Sequence, residues 1–338
     1  MIYFQSSILI LLSFIVLSFL AKKFDFLLSE FTNKHQELIG SEKIPLIGGS
    51  ILFIFLIFNF QFFDKFFLIT SFTLLVLGIF SDLDYLSSPK KRLLFQFIAI
   101  ISFVLASDLF IDDLRVEAIN EILQNDYCKF FFISFCFLIL INGSNFIDGC
   151  NGLNIGYFLS IILIIFLISD KIIFFEDKVF IKLILFALSI LLALNFFNLI
   201  YLGDSGAYLL GFISGFLLVE IYRLNEMISP FFIALLLWYP AFENLFSIIR
   251  KKKNNLNPIY PDTFHFHHLL FKFLNKKLTK MKKFSNQITS LLINLFNLMI
   301  FFISINIISN SKLLIVLLIF NVVIYLFFYF VLKKSLIK

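Results

Sequence analysis

"FFISFCFLILINGSNFIDGCNGLNIGYFLSIILIIFLIS", residues 131–169, decides how the chain folds. Two runs of Phe, Ile and Leu flank a polar segment, 142–156, that carries a single carboxylate, Asp148, and four Asn. Apolar runs of this length read as membrane spans. Glycine, Asn and Asp between them then mark a polar break at a membrane edge. The rest of the chain agrees. Apolar residues make up 60% of the 338 residues, with 52 Phe, and mean hydropathy is +0.98. A soluble domain cannot hide that much apolar surface, so composition predicts an all-α, polytopic transmembrane helical bundle.

Runs able to cross a bilayer lie near 3–20, 46–63, 66–80, 93–110, 129–143, 153–169, 179–197, 206–222, 230–249, 287–307 and 312–332, about eleven spans. The first lacks a basic start and a small-residue exit, so it reads as a retained span. Three cysteines, Cys128, Cys136 and Cys150, fit reduced packing thiols. With the N-terminus outside, 20 of the 28 Lys and Arg fall in inside loops, and the opposing 108–129 loop carries six acidic residues. That asymmetry fixes the expected orientation. The chain then reads as one integral-membrane domain, 1–338, whose largest cytoplasmic loop is 250–286.

In that orientation every unusual polar stretch faces the cytoplasm: "KIPLIGGS" (43–50), "SDLDYLSSPKKRL" (81–93), "NFIDGCNGL" (145–153), "YLGDSGAYLLGF" (201–212) and "PDTFHFHHLL" (261–270). Chance would scatter them over both faces, so their convergence predicts an active site. Asp204 heads a span between Gly203 and Gly206, where it either caps the helix or holds a phosphate or Mg²⁺. Tyr201 is either an interfacial belt residue or a flat face for a nucleobase. Asn145, Asp148 and Gly152, at i, i+3 and i+7, are expected on one helix face, and an ionisable residue at a span edge is a functional candidate. Lys90, Lys91 and Arg92 read as orientation signals that also hold an anionic lipid phosphate near Asp82. His265, His267 and His268 are three of the four histidines; a zinc site lacks supporting ligands, and hydrogen bonding to a diphosphate fits better.

Together "GIFSDLDYLSSPKKRLLFQ", "NFIDGCNGL", "NFFNLIYLGDSGAYLLGF" and "PDTFHFHHLLF", in this order over about residues 34–270, resemble the polyprenyl-phosphate N-acetylhexosamine-1-phosphate transferases. "KHQELIGSEKIPLIGG" resembles that family's first cytoplasmic loop, with Lys43 in place. The resemblance implies that UDP-HexNAc meets polyprenyl phosphate, most simply undecaprenyl phosphate, at the cytoplasmic face of a bacterial inner membrane. HexNAc-1-phosphate passes to the lipid, UMP leaves, and a cell-surface glycan such as O-antigen is begun. It implies Mg²⁺, or Mn²⁺, with Asp204 as metal ligand. Asp82, Asp148 and His265 join Asp204 as catalytic candidates. Lys43, Arg92, Asn145, Asn151, Tyr201, His267 and His268 are substrate-binding candidates, Tyr201 standing for a Phe that stacks on uracil. The expected partners are the two substrates and the bilayer, with a homodimer allowed and no nucleic acid.

Three departures stand out. Ser81 replaces the first Asp of the family's pair, and Asp84 is off its register. Asn151 replaces the second Asp of Asp-Gly-x-Asp-Gly. Glu243 stands where many members have Asp. They fit a subfamily acting on a modified amino sugar, or a catalytically altered member. A secondary transporter would place its polar groups near the midplane in repeated halves, and neither feature is seen here.

Overall fold

The computed structural model describes residues 2–29, 43–172, 178–257, 262–278 and 281–337. Residues 34–42 and Pro261, which belong to two of the motifs, lie outside the described residues. The architecture is all-helical: α1 (Ile2–Phe24), α2 (Gly48–Phe58), α3 (Lys65–Asp82), α4 (Pro89–Ala106), α5 (Glu117–Leu123), α6 (Asp126–Ile147), α7 (Leu153–Ile168), α8 (Lys178–Phe196), α9 (Gly203–Leu224), α10 (Pro230–Leu236), α11 (Trp238–Lys253), α12 (Phe266–Lys277), α13 (Ser285–Ile305) and α14 (Ser311–Ile337). No strand occurs among the described residues.

Helix starts follow local chemistry. Asp64 caps α3 by accepting from the Phe67 N–H at 2.7 Å, and Asn125 caps α6 through the Tyr127 and Cys128 N–H groups. Pro89 and Pro230 open α4 and α10, where a missing N–H costs nothing.

By length and composition seven helices can cross a membrane, or eight if the bent pair α10–α11 is one span. The chain is a multi-pass membrane protein, and this count falls short of the eleven expected. The runs at 46–63, 93–110 and 153–169 make up the difference. The first yields only 11 residues in α2, about 16 Å of helix against a hydrocarbon core of roughly 30 Å. The second opens on Lys90, Lys91 and Arg92 in α4, and the third stops at 16 residues in α7.

The run at 230–249 is not one straight span. It bends by 72° between α10 and α11. Pro240 explains the break: it has no N–H to give the Leu236 carbonyl four residues back. The Tyr157 hydroxyl satisfies that carbonyl instead, at 2.7 Å.

α9 is the hub. Of its apolar stretch 78% is buried, against 11% for α1 and 22% for α14, and it packs on α2, α3, α6, α7 and α10. Large apolar side chains on α1, α4, α13 and α14 remain exposed, including Phe19, Phe95, Leu291 and Phe327. Such a surface suits lipid.

Two ends of the bundle are tied differently. At one, the Arg115 guanidinium donates to the carbonyls of Glu226 (2.6 Å), Ile228 (3.1 Å) and Ser309 (2.9 Å), joining the acidic 108–126 stretch to two helix junctions. The other end gathers the polar motifs.

Candidate active site at the converging helix ends

α9 begins where the motifs meet. Gly203 sits at φ +74°, a left-handed conformation suited to glycine. The turn brings the Asp204 N–H to the Asp82 carboxylate at 2.8 Å and the Ser205 N–H to 3.4 Å. Asp82, from the end of α3, thus serves as the acceptor for two free N–H groups of α9. Close packing makes this reach possible. A Cβ on Gly78 would stand 2.1 Å from the Ser205 Cα, so only glycine lets α3 lie against the start of α9.

The cap reading of Asp204 is therefore overturned. The N–H groups at the start of α9 go to Asp82, not to the Asp204 side chain. Instead Asp204 Oδ2 accepts from the Ser81 hydroxyl, from Arg92 Nη1 at 3.0 Å and from the Tyr208 hydroxyl at 3.3 Å. Arg92 also donates to Ser81 Oγ. The Ser81–Asp204–Arg92 cluster is partly open, with the Arg92 and Asp204 side chains 27% and 24% exposed. Lys90 and Lys91 stay exposed, so the cation run splits into one site residue and two surface residues. Asp84 is exposed with φ +59°, and its N–H only closes the α3 end on the Ser81 carbonyl. It does not stand in for the missing carboxylate at 81.

Asp148 joins the group from α6. Burial, then the charges of Asp204 and Asp82, raise its carboxyl well above the usual range. The expectation that Asn145, Asp148 and Gly152 share one helix face is not met. α6 ends at Ile147, Asp148 is its C-cap, and Gly152 at φ +79° starts α7. The chain reverses at Gly152, whose left-handed φ suits glycine.

Asparagines hold that reversal. The Asn151 N–H donates to Asn286 at 3.0 Å and the Gly152 N–H to Asn195 at 2.6 Å, while Asn294 donates to the Gly152 carbonyl at 2.9 Å. The Asn151 amide donates to Asn198. Asn151, 4% exposed, thus ties the loop to its neighbours. Asn145 is half-buried, and its carbonyl accepts the Asp148 N–H.

The histidines close another side. A Cβ on Gly149 would meet His267 Nε2 at 2.3 Å and His268 Nε2 at 2.8 Å, so both rings lie against the residue after Asp148. His265 stacks on His267 with ring centres 5.7 Å apart. Its Nδ1 bonds Glu243 at 2.9 Å. Asp262 anchors the stretch through Arg250 at 3.0 Å and the Phe264 N–H at 3.0 Å. Burial raises the Asp262 carboxyl, but Arg250 and the Phe264 N–H outweigh it and hold it below the usual value.

Tyr201 packs beside the first loop. Its N–H donates to Pro45 at 2.8 Å and its carbonyl accepts the Gly48 N–H at 3.0 Å. Burial pushes its phenol up to about 12. Lys43 is paired with Asp25 at 2.8 Å, its side chain 55% exposed. The structure thus joins Asp82, Asp148, Asp204 and Arg92, sets His267 and His268 against Gly149 with His265 stacked beside them, ties Asn151 into the same loop, and pairs Lys43 with Asp25.

The metal question turns on donor chemistry. Among the described residues no group of three or more His, Cys, Asp or Glu forms a ready metal cage. Asp148 and the two carboxylates that repel it, Asp204 and Asp82, nevertheless supply hard oxygen donors, which suits Mg²⁺, an ion that keeps water and substrate oxygens in its shell.

The sequence reading missed Tyr325, Arg250 and the asparagine web. One signal was available: Asn286, Ser290, Asn294 and Asn297 recur at helical spacing along an otherwise apolar span, which marks a face turned into the bundle.

Comparison with known proteins agrees with the motif resemblance. Residues 65–222 match the family model described as glycosyl transferase family 4. A Bacillus subtilis (strain 168) protein named "Probable undecaprenyl-phosphate N-acetylglucosaminyl 1-phosphate transferase" is 28% identical over 211 residues, 60% of this chain and 57% of that protein. A decaprenyl-phosphate N-acetylglucosaminephosphotransferase of Mycolicibacterium smegmatis is 28% identical over 152 residues, 39% of this chain and 37% of that protein. An undecaprenyl-phosphate alpha-N-acetylglucosaminyl 1-phosphate transferase of Thermotoga maritima is 27% identical over 266 residues, 77% of this chain and 78% of that protein. The matched stretch thus spans little more than half of the first relative and over a third of the second.

Proposed function

We propose, for a chain whose residues 65–222 match the model of glycosyl transferase family 4, that it transfers HexNAc-1-phosphate from a UDP-sugar to a polyprenyl phosphate and releases UMP. The observation that carries this reading is the meeting of Asp82, Asp148 and Asp204 with Arg92 and the histidine stretch at one end of a membrane bundle. A soluble diphosphate donor and a membrane-held phosphate can both reach such a place. The charge split supports a cytoplasmic position for that end, where UDP-sugars are made, and the bacterial relatives support a bacterial plasma membrane.

In the proposed reaction an oxygen of the lipid phosphate attacks the sugar-side phosphorus. The bond from that phosphorus to the bridging oxygen breaks, UMP leaves with that oxygen, and the sugar–oxygen bond stays intact. The acceptor needs no strong base, because a phosphate monoester with a second pKa near 6 is largely dianionic at neutral pH. Asp82 has both oxygens on backbone N–H groups, so its role is to fix the start of α9 and aim Asp204. Arg92 offers a second guanidinium arm to phosphate oxygens. Tyr201 stands where a uracil can lie, and His267 and His268 face the diphosphate. Asp204 with Asp148 would hold Mg²⁺, whose chemistry here is to neutralise the diphosphate and its leaving oxygen. The amino sugar and the glycan begun by the product, O-antigen included, belong to the same proposal.

Protein purified in detergent, given Mg²⁺, UDP-GlcNAc and undecaprenyl phosphate, should release UMP only when the lipid is present. A panel of other UDP-HexNAc donors covers a modified sugar. Absence of lipid-dependent UMP from every donor would overturn the reading.

A further inference from the structure

Glu243 is 1% exposed, and the mechanism above leaves it without a task. A buried carboxylate is costly unless it is fully bonded. Here it is. Glu243 Oε1 accepts from the Phe266 N–H at 3.1 Å and meets His265 Nδ1 at 2.9 Å. Glu243 Oε2 accepts from the Tyr325 hydroxyl at 2.5 Å. Phe266 and His265 are the first residue and the N-cap of α12, whereas Tyr325 comes from α14, far along the chain.

These contacts settle the imidazole's orientation. A backbone N–H can only donate, so Oε1 is an acceptor, and His265 must place its proton on Nδ1 to share it. The second ring nitrogen, Nε2, stands 3.8 Å from Asp262 Oδ1, outside hydrogen-bond reach. Asp262 is already committed to Arg250 and the Phe264 N–H. Nε2 is therefore the nitrogen left for other work, on a ring stacked against His267, which touches the loop after Asp148.

We infer that Glu243 and Tyr325 are positioning residues that lock His265 in its Nδ1–H tautomer and present Nε2 to the phosphate groups of the substrates. The inference rests on the proposed transfer reaction for its kinetic part, though not for the tautomer. An outer carboxylate that fixes the ring and proton of a working histidine is a recurring physical solution. Tyr325 completes it by holding the second carboxylate oxygen, so Glu243 cannot swing away. The Tyr325 ring is itself wedged against Phe242 and Phe266, each 5.0 Å away between centres, so its hydroxyl can be removed without emptying the pocket. α14 thereby contributes to the site although it lies outside the family match.

The test uses the full chain in detergent, with ¹⁵N-labelled histidine and His265→Asn to assign its signals. At pH 8 the wild type should show His265 protonated at Nδ1, and Glu243→Ala should shift the proton to Nε2. Tyr325→Phe should lower kcat by roughly 3- to 10-fold with KM for the UDP-sugar within twofold, and Glu243→Ala should lower kcat by about 10- to 100-fold. Glu243→Asp, with its shorter arm, should recover part of that loss. If Glu243→Ala fails to fold, Tyr325→Phe and Glu243→Asp carry the kinetic test. Wild-type His265 protonated only at Nε2, or Tyr325→Phe with unchanged kcat, overturns the inference. A wild type without UMP release but with the Nδ1–H signal would sink the proposed reaction and leave the tautomer assignment standing.

Discussion

Substituting Ser81 probes the site's charge balance directly. Family resemblance suggests that a second carboxylate is missing there, so Ser81→Asp looks like a repair. The structure argues otherwise. Ser81 Oγ lies between Asp204 Oδ2, to which it donates, and Arg92 Nη1, from which it accepts. A carboxylate in this place would stand about 4 Å from Asp204 and about as far from Arg92. At an effective dielectric near 20, each charge pair is worth about 4 kcal/mol, one repulsive and one attractive. The hydroxyl's bond to Asp204, about 1.5–3 kcal/mol as a bond to a charged group, is lost. A second charge-assisted bond from the Arg92 fork offsets it. The net change should stay below about 1.4 kcal/mol, or tenfold in rate. Ser81→Ala has no such offset and should cost about 10- to 100-fold if the lost bond appears in the barrier. The assay is initial UMP release for wild type and both variants at one pH and saturating lipid. A silent wild type switched on by Ser81→Asp, or Ser81→Ala faster than Ser81→Asp, would refute this account of the Ser81–Asp204–Arg92 cluster.

Asp204→Asn should keep the hydrogen bonds from Ser81 and Tyr208 and fold normally, yet lose at least about 100-fold in turnover because the neutral amide is a poor Mg²⁺ ligand and a weak partner for Arg92; near-normal turnover at ordinary Mg²⁺ would remove it from the mechanism. Gly78→Ala would place a Cβ 2.1 Å from the Ser205 backbone, so the melting temperature should drop by an amount equivalent to about 1–3 kcal/mol or more. An unchanged melting curve would mean that α3 and α9 are not in contact as described. Single cysteines in 111–128, placed in a Cys-free background, should react with an impermeant thiol reagent from outside intact cells, and those at 90, 91 or 252 only after the cytoplasm is opened. The reverse pattern would put the site on the wrong face.

Much of the fold was legible because bilayer solubility constrains composition so strongly. Every apolar run became a helix, and polar motifs far apart in sequence met at one end of the bundle. Sequence counting failed where length and polarity trade off. α2 and α7 are short helices inside longer apolar runs, and only the Pro240 position, with the Leu236 carbonyl passed to Tyr157, explains the 72° bend. The site was legible as a set of residues but less so as a set of roles. A cap and a metal ligand are both carboxylates near a helix start, and sequence alone could not say that Asp82 takes the N–H groups while Asp204 faces Arg92. Asn145 to Gly152 looked helical by spacing, whereas the left-handed Gly152 turns the chain. Tyr325 was invisible, since nothing in an apolar span announces that its hydroxyl meets a glutamate from another helix.

The fate of a phosphorus label tests the central claim most directly. UDP-HexNAc carrying ³²P at the sugar-side phosphorus is incubated with the protein, Mg²⁺ and polyprenyl phosphate, and the lipid and aqueous phases are separated. Transfer of HexNAc-1-phosphate predicts label in the lipid, as a polyprenyl diphosphate sugar, with one unlabelled UMP formed for each labelled lipid. Label retained in UDP while sugar enters the lipid would mean that the sugar–oxygen bond was cut, and label found only in the starting donor would mean no transfer; either contradicts the account.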